Sequence, residues 1–313
     1  RDMRFASDDK TPVSVMMSSD NLAVLREPVD RDQAISLMKA RRIEKLLVTD
    51  GAGKLTGLLT LKDTEKSVLN PQACKDEMGR LRVAAASTVG DAGFERSQAL
   101  IEAGVDMVVI DTAHGHSAGV AIAVERIKRF SNRVQVVAGN VATGEATRAL
   151  IGAGADAVKV GICPGSICTT RLVAGVGIPQ LTALYAASRP AEKRGVAIIA
   201  DGGIAKSGDL VKALTLAHAV ICGSLLAGCP ESPGQVIEIE GKLYKQYRGM
   251  GSLAAMKAGS AARYGHAPDT TRKIAAEGVE ALKEASESVD NVLMQLVGGI
   301  QSGMGYLGAA DLG

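Results

Sequence analysis

The chain has 313 residues and nearly balanced charge, with 36 Lys and Arg against 34 Asp and Glu. That length accommodates one large α/β domain with a small companion, because a single core stops growing at roughly 250–300 residues. The charge balance excludes a strongly basic nucleic-acid surface or an acidic tail. No apolar run reaches the roughly 18 residues needed to cross a bilayer, and no secretory signal is read, so a cytoplasmic protein with no membrane or nucleic-acid partner is expected. The chain opens at Arg1 in mid-pattern, which reads as a fragment, a processed product or a trimmed chain.

The first predicted unit has a helix at 31–41, a strand at 45–48, a turn at D-G-A-G (50–53) and a strand at 55–60. The glycines of that turn tolerate the backbone angles a reversal needs. From residue 82 onward short apolar runs alternate with amphipathic stretches. Strands are predicted at 83–86, 107–110, 134–138, 157–160, 197–200 and 219–222. Two junctions share one theme, E-A-G-V-D-M-V-V-I-D (102–111) and G-A-G-A-D-A-V-K-V-G (152–161). Gly ends a helix, Asp opens the turn and a buried strand follows, which is the texture of a parallel sheet. A doubly wound open sheet and a (β/α)8 TIM-type barrel both fit. The barrel is favoured, because polar and glycine residues mark the strand ends and no early G-x-G-x-x-G turn is present. Six of the eight β/α units are visible.

The segment G-I-C-P-G-S-I-C-T-T-R-L-V-A-G-V-G-I-P-Q (161–180) is an irregular loop after a buried strand, where barrels place reactive groups. Among hydroxyls and backbone amides, Cys168 suits a nucleophile; on spacing alone it is equally a small residue filling a tight loop. Cys222, inside A-V-I-C-G, reads as packing. The five cysteines, Cys74, Cys163, Cys168, Cys222 and Cys229, form no zinc pattern with histidine and are expected as free thiols. A carboxylate before two glycines, as in A-D-G-G-I (200–204), suits a ribose diol beside a phosphate, although D-G-G by itself is also a turn signal. His114 and His116 have the spacing of metal ligands but no evident third partner, which favours solvent-facing or adenine-contacting loop residues over metal catalysis.

Three segments, G-S-I-C-T-T-R (165–171), A-D-G-G-I (200–204) and Y-R-G-M-G-S (247–252), resemble the superfamily of inosine-5′-monophosphate (IMP) dehydrogenases and guanosine monophosphate (GMP) reductases, in a bacterial type of arrangement. The resemblance covers nearly the whole chain. It implies that Cys168 attacks carbon 2 of a purine nucleotide. The phosphate would rest on Ser166, Gly203, Gly223, Ser224 and Tyr247, with Asp201 and Gly202 at the ribose and Met250, Gly251 and Glu277 at the base. It implies NAD bound along Asp111, Thr112, Ala113, His114, Asn140 and Gly161. A-A-R-Y (261–264) matches the Arg-Tyr pair that a mobile flap, here about 241–287, supplies to hydrolyse a covalent thioimidate. Arg263 would act as base or orient it, with Tyr264 and Thr170 assisting. That pair favours IMP oxidation to xanthosine 5′-monophosphate, a step of guanine nucleotide synthesis, over GMP reductase chemistry with NADPH or an inactive nucleotide-binding fragment. The resemblance also implies a potassium ion on the carbonyls of Cys163, Gly165 and Cys168, and a homotetramer.

G-L-L-T-L-K-D (57–63) resembles a cystathionine β-synthase (CBS) motif, the second of the pair the family inserts into its barrel. It implies ATP or GTP at Thr60 and Asp63. Residues 1–71 are assigned to this motif, with the end of the first at 1–10, and 72–313 to the barrel. Three departures from the family stand out: Cys163 replaces a glycine, E-A-L-K-E-A-S-E-S (280–288) reads as helical, and the family's N-terminal segment and C-terminal Glu-Ser-His are not found.

Overall fold

The computed structural model describes residues 8–71, 73–265 and 275–312. The chain divides into two compact units, Arg1–Leu81 and Arg82–Gly313. The division falls after Leu81 rather than after residue 71. Residues 75–81 close on themselves, through a Lys75–Leu81 bridge and an Asp76 carboxylate that accepts from the Met78 and Arg80 amides. The stretch expected to end a first CBS motif, 1–10, lies mostly outside the described residues.

The first unit runs α1 (Val13–Met16), β1 (Val24–Arg26), α2 (Arg31–Arg41), β2 (Lys45–Thr49), β3 (Leu55–Thr60) and α3 (Leu61–Leu69). β1 pairs parallel with β2, and β2 antiparallel with β3. Helix α2 starts where the Asp30 side chain accepts from the Gln33 amide at 2.7 Å, and it ends at Arg42 in the left-handed region. Leu25, Ala34, Met38 and Leu46 form its small core.

The second unit carries six parallel strands in sequential order: β4 (Ala84–Ser87), β5 (Met107–Asp111), β6 (Gln135–Val141), β7 (Ala157–Val160), β8 (Ala197–Asp201) and β9 (Ala219–Ile221). Between them run α4 (Gly90–Glu102), α5 (Ala118–Phe130), α6 (Gly144–Gly152), the short α7 (Thr170–Val173), α8 (Gln180–Glu192) and α9 (Ser207–Leu214). All six predicted strands are present, several extended by a residue or more at the carboxyl end. The Gly-Asp theme has a physical cause. Gly104 and Gly154 take positive φ to end α4 and α6. Asp106 then accepts from the Val83 amide, and Asp156 from the Val136 amide, each at 2.7 Å. These carboxylates cap the amino end of the sheet, and His218 Nδ1 does the same for the Ile198 amide at 3.1 Å. β7 is buried at every position, so helices and strands close over both of its faces.

After β9 come α10 (Ser224–Ala227) and an antiparallel sheet of β10 (Val236–Ile239), β11 (Lys242–Arg248) and β12 (Glu280–Glu284). The helical expectation for 280–288 is therefore overturned. β12 pairs with β11 from Tyr244–Glu284 through Arg248–Glu280, and this ladder outweighs the helix preference of Glu, Ala and Lys. Between β11 and β12 lie α11 (Leu253–Lys257) and a 3-10 turn, Ser260–Tyr264. The final helix, α12 (Val289–Leu307), packs on α9, with Gly303 facing the Val211 side chain closely enough that a Cβ would lie 2.7 Å from it.

Candidate active site

The carboxyl ends of β5 to β9 open into one cavity of about 1030 Å³. Its lining includes Thr112, Ala113, His114, Asn140, Gly161, Cys163, Gly165, Ser166, Cys168, Thr170, Asp201, Gly202, Gly203, Gly223, Ser224, Tyr247, Met250, Gly251, Arg263, Tyr264 and Glu277. The predicted residues of the second unit thus converge, with Asp111 beside the cavity rather than lining it. His114 and His116 are exposed. Among the described residues no group of three or more His, Cys, Asp or Glu side chains could hold a metal ion.

At the end of β8, Asp201 Oδ2 accepts from Asn140 Nδ2 at 2.8 Å and pairs with Lys159. Asn140 Nδ2 also donates to the Gly161 carbonyl at 2.8 Å, which fixes the amide between two strands. Gly202 and Gly203 both take positive φ, 85° and 77°, so a D-G-G turn here needs glycine at two successive positions. Asp111, at the end of β5, pairs with Lys159 at 2.8 Å and with Arg263. Asn140 Oδ1 is buried without a hydrogen-bond partner, as a polar ligand site would leave it. Lys159 and Gln180 were not singled out in the sequence. Gln180 Nε2 holds the Val160 and Asp201 carbonyls at 2.9 and 3.3 Å. The signal for Lys159 was a lone charge in the otherwise apolar run A-V-K-V.

The loop 161–170 carries the cysteine. Cys163 and Cys168 bring their sulfurs against each other, with Cα atoms 5.6 Å apart, while Cys74, Cys222 and Cys229 stand as free thiols. Cys163 takes φ 53°, the left-handed conformation that suits glycine better than a residue with Cβ. Cys168 Sγ lies 3.5 Å from Thr170 Oγ1, which donates to Glu277 Oε2 at 2.6 Å. The Thr169 amide donates to the Glu277 carbonyl at 2.9 Å and the Val279 amide to the Ile167 carbonyl at 3.0 Å, so the loop is stitched to the segment leading into β12. Ser166 Oγ and Tyr247 Oη stand 3.2 Å apart.

The turn that bears Arg263 and Tyr264 reaches across to β5, where the Ala113 amide donates to the Arg263 carbonyl at 2.9 Å. Burial pushes the Arg263 guanidinium below its ordinary pKa, opposed by the charge and hydrogen bond of Tyr264. Burial pushes the Tyr264 phenol up, opposed by Arg263 and reinforced by Glu277. Residues 266–274 of the predicted flap lie outside the described residues.

The sequence model described as "IMP dehydrogenase / GMP reductase domain" matches residues 12–313. The chain belongs to the IMP dehydrogenase / GMP reductase family. Within it, the chain is 54% identical to an inosine-5′-monophosphate dehydrogenase of Rhizobium tropici and 52% identical to one of Aquifex aeolicus, each over 100% of this chain. It spans 63% and 64% of the length of those two relatives. Among solved structures, a cysteine-to-alanine variant of GMP reductase from Trypanosoma brucei, in complex with guanosine 5′-monophosphate, superposes with a TM-score of 0.83 at 40% identity. That match covers 99% of this chain and 64% of the other. Family membership is consistent with the parallel strands of the second unit.

In the first unit, Thr60 and Asp63 meet each other. The Thr60 hydroxyl donates to Asp63 Oδ2 at 2.7 Å, the Thr60 amide donates to the same oxygen at 3.0 Å, and the Asp63 amide donates to Thr60 Oγ1 at 3.2 Å. This is a capping box that starts α3.

Proposed function

We propose that the protein oxidises IMP to xanthosine 5′-monophosphate with NAD, inside a TIM-type barrel to which the six parallel strands belong. The observation that carries this reading is the convergence of Cys168, the Thr170–Glu277 pair and the Arg263–Tyr264 pair on the cavity that also holds Asp201. The reduced Cys168 sulfur adds to carbon 2 of the purine. Carbon 2 loses its hydrogen with both bonding electrons, and water then releases the product from the thioimidate and returns the thiol. Asp201 grips the ribose diol. Ser166, Gly203, Gly223, Ser224 and Tyr247 receive the phosphate, while Met250, Gly251 and Glu277 meet the base. NAD supplies the two-electron acceptor when bound, and the orphaned oxygen of Asn140 fits its polar groups.

Arg263 sits on Asp111, the carboxylate assigned to the nicotinamide ribose. Cofactor and turn therefore compete for one partner, which orders the reaction: cofactor first, then Arg263 and Tyr264 to activate water. Burial lowers the Arg263 pKa and moves the guanidinium toward the base role. No step is assigned to potassium; the carbonyls of Cys163, Gly165 and Cys168 would hold it, and that of Gly165, which accepts from the Cys168 amide at 3.3 Å, keeps a second lone pair. The order of elements in the first unit supports the CBS assignment. The capping box occupies Thr60 and Asp63 and gives no support to ATP or GTP there. A homotetramer belongs to the same reading and is checked by sedimentation.

GMP reductase chemistry is the second reading, favoured by the solved neighbour at 40% identity. Two assays on the full-length, reduced protein separate them: IMP with NAD, followed by cofactor reduction, and GMP with NADPH, followed by cofactor oxidation and ammonia release. Turnover only in the second assay overturns the dehydrogenase reading. Turnover in neither, with a melting midpoint unmoved by IMP, overturns both readings.

A further inference from the structure

Lys159 lies in the middle of β7 and is 4% exposed. Its Nζ stands 2.8 Å from Asp111 Oδ1 and pairs with Asp201 Oδ2, so one ammonium serves carboxylates from the ends of two different strands. β5 and β7 are not neighbours; β6 runs between them. Lys159 can reach past β6 because its register partner there is Gly139, which is in turn the partner of Asp111 on β5. A Cβ at Gly139 would lie 2.7 Å from Lys159 Cβ and 2.5 Å from the Lys159 carbonyl oxygen. A row Asp111–Gly139–Lys159 therefore leaves an open lane for the lysine stem across the sheet.

The charges in this cluster balance: Lys159 and Arg263 against Asp111 and Asp201. When Arg263 leaves Asp111 to admit a cofactor, Lys159 is the cation that still holds both carboxylates. We infer that Lys159 is a positioning residue that couples the two nucleotide grips, setting the Asp201 carboxylate for the IMP ribose and the Asp111 carboxylate for the ribose of NAD through a single shared ammonium. This rests on the dehydrogenase reading above. Lys159 touches neither reacting atom, so its effect falls on binding of both nucleotides rather than on the chemical step.

The test compares the full-length protein with Lys159→Met and Lys159→Arg, reading the IMP dissociation constant by calorimetry and KM for NAD and kcat by steady-state assay. In Lys159→Met, IMP affinity and KM for NAD worsen together, each by about tenfold or more, with kcat within about threefold. Lys159→Arg keeps the buried charge and with it the fold. Its longer guanidinium displaces both carboxylates, so the two binding parameters again shift together, by about threefold or more. If Lys159→Met does not fold, Lys159→Arg alone decides. A shift confined to one nucleotide, no shift at all, or a loss that falls on kcat with binding intact overturns the coupling role. Failure of the unsubstituted protein to bind IMP or NAD overturns the dehydrogenase reading itself, and the coupling role with it.

Discussion

Thr170 donates its hydroxyl proton to Glu277 Oε2 across 2.6 Å, joining the loop that carries Cys168 to the segment that leads into β12. Cys168 Sγ lies 3.5 Å from the same hydroxyl oxygen. The carboxylate therefore sits two polar contacts from the reacting sulfur, with a hydroxyl between them that can pass a proton to or from water. Thr170→Val keeps the shape and removes the proton path. It is expected to lower kcat on the order of 10²-fold while KM for IMP changes by less than about threefold. Steady-state kinetics check it, and an unchanged kcat removes Thr170 from water activation.

The Arg263–Tyr264 pair makes a prediction about pH. Arg263 is held below its ordinary pKa by burial, and Tyr264 pulls it back up. If the neutral guanidine is the base, kcat rises with pH and the rising limb tracks the Arg263 pKa. Tyr264→Phe removes the group that raises that pKa, so the limb moves to lower pH even as the maximal rate falls. A limb that stays in place or moves to higher pH in a kcat profile against pH is incompatible with Arg263 as base.

Thr60 is expected to matter for stability rather than for regulation. Its hydrogen bonds hold the Asp63 carboxyl below the usual carboxylate range, with the Thr60 side chain the largest cause. A depressed folded-state pKa contributes stability above the unfolded value, roughly pH 4, and loses it as pH falls through the folded value. Asp63 is largely solvated, so the charge effect itself is small. Thr60→Ala removes the cap, which costs about 1 kcal/mol of helix stability. Thermal melts should show this loss at neutral pH and a smaller difference from the unsubstituted protein in acid. A binding titration with ATP and GTP that saturates in the unsubstituted protein and is lost in Thr60→Ala, with melting unchanged, would reverse the assignment.

The strand ends were legible because each apolar run stops at a residue that cannot be buried alone, as at Asp111, Asn140 and Asp201. Lys159 escaped notice because its meaning depends on Gly139 and on carboxylates 48 and 42 residues away, distances that no local pattern spans. The β10–β12 sheet was missed for a related reason. E-A-L-K-E has helix formers at every position, and only the facing strand, with Lys245 opposite Lys283 and Gln246 opposite Leu282, makes it a strand. Helix α12 was hidden by its glycines, which weaken local preference. Contact with Ser207 and Val211 on α9 gives Gly299 and Gly303 their use, since larger residues there would force the helices apart.

The neighbouring sulfurs of Cys163 and Cys168 bear directly on catalysis. Their Cα atoms are 5.6 Å apart, within the span a disulfide needs. A sulfur held in a disulfide has no thiolate to offer a purine carbon, so oxidation of IMP requires the pair reduced first. A dithiol such as dithiothreitol does this by exchange. It gives two electrons and two protons to the protein sulfurs and itself becomes a disulfide. Protein oxidised to the disulfide is therefore expected to gain activity on reduction, with an intact-mass gain of about 2 Da measured under non-reducing conditions. Cys163→Ser, which cannot form the bond, should be active without reductant. Cys168→Ala should be inactive with or without it. Full activity of the unsubstituted protein in the absence of reductant, with a mass that reductant does not change, would show that the working enzyme holds these two residues as thiols and that Cys163 exerts no control over the nucleophile.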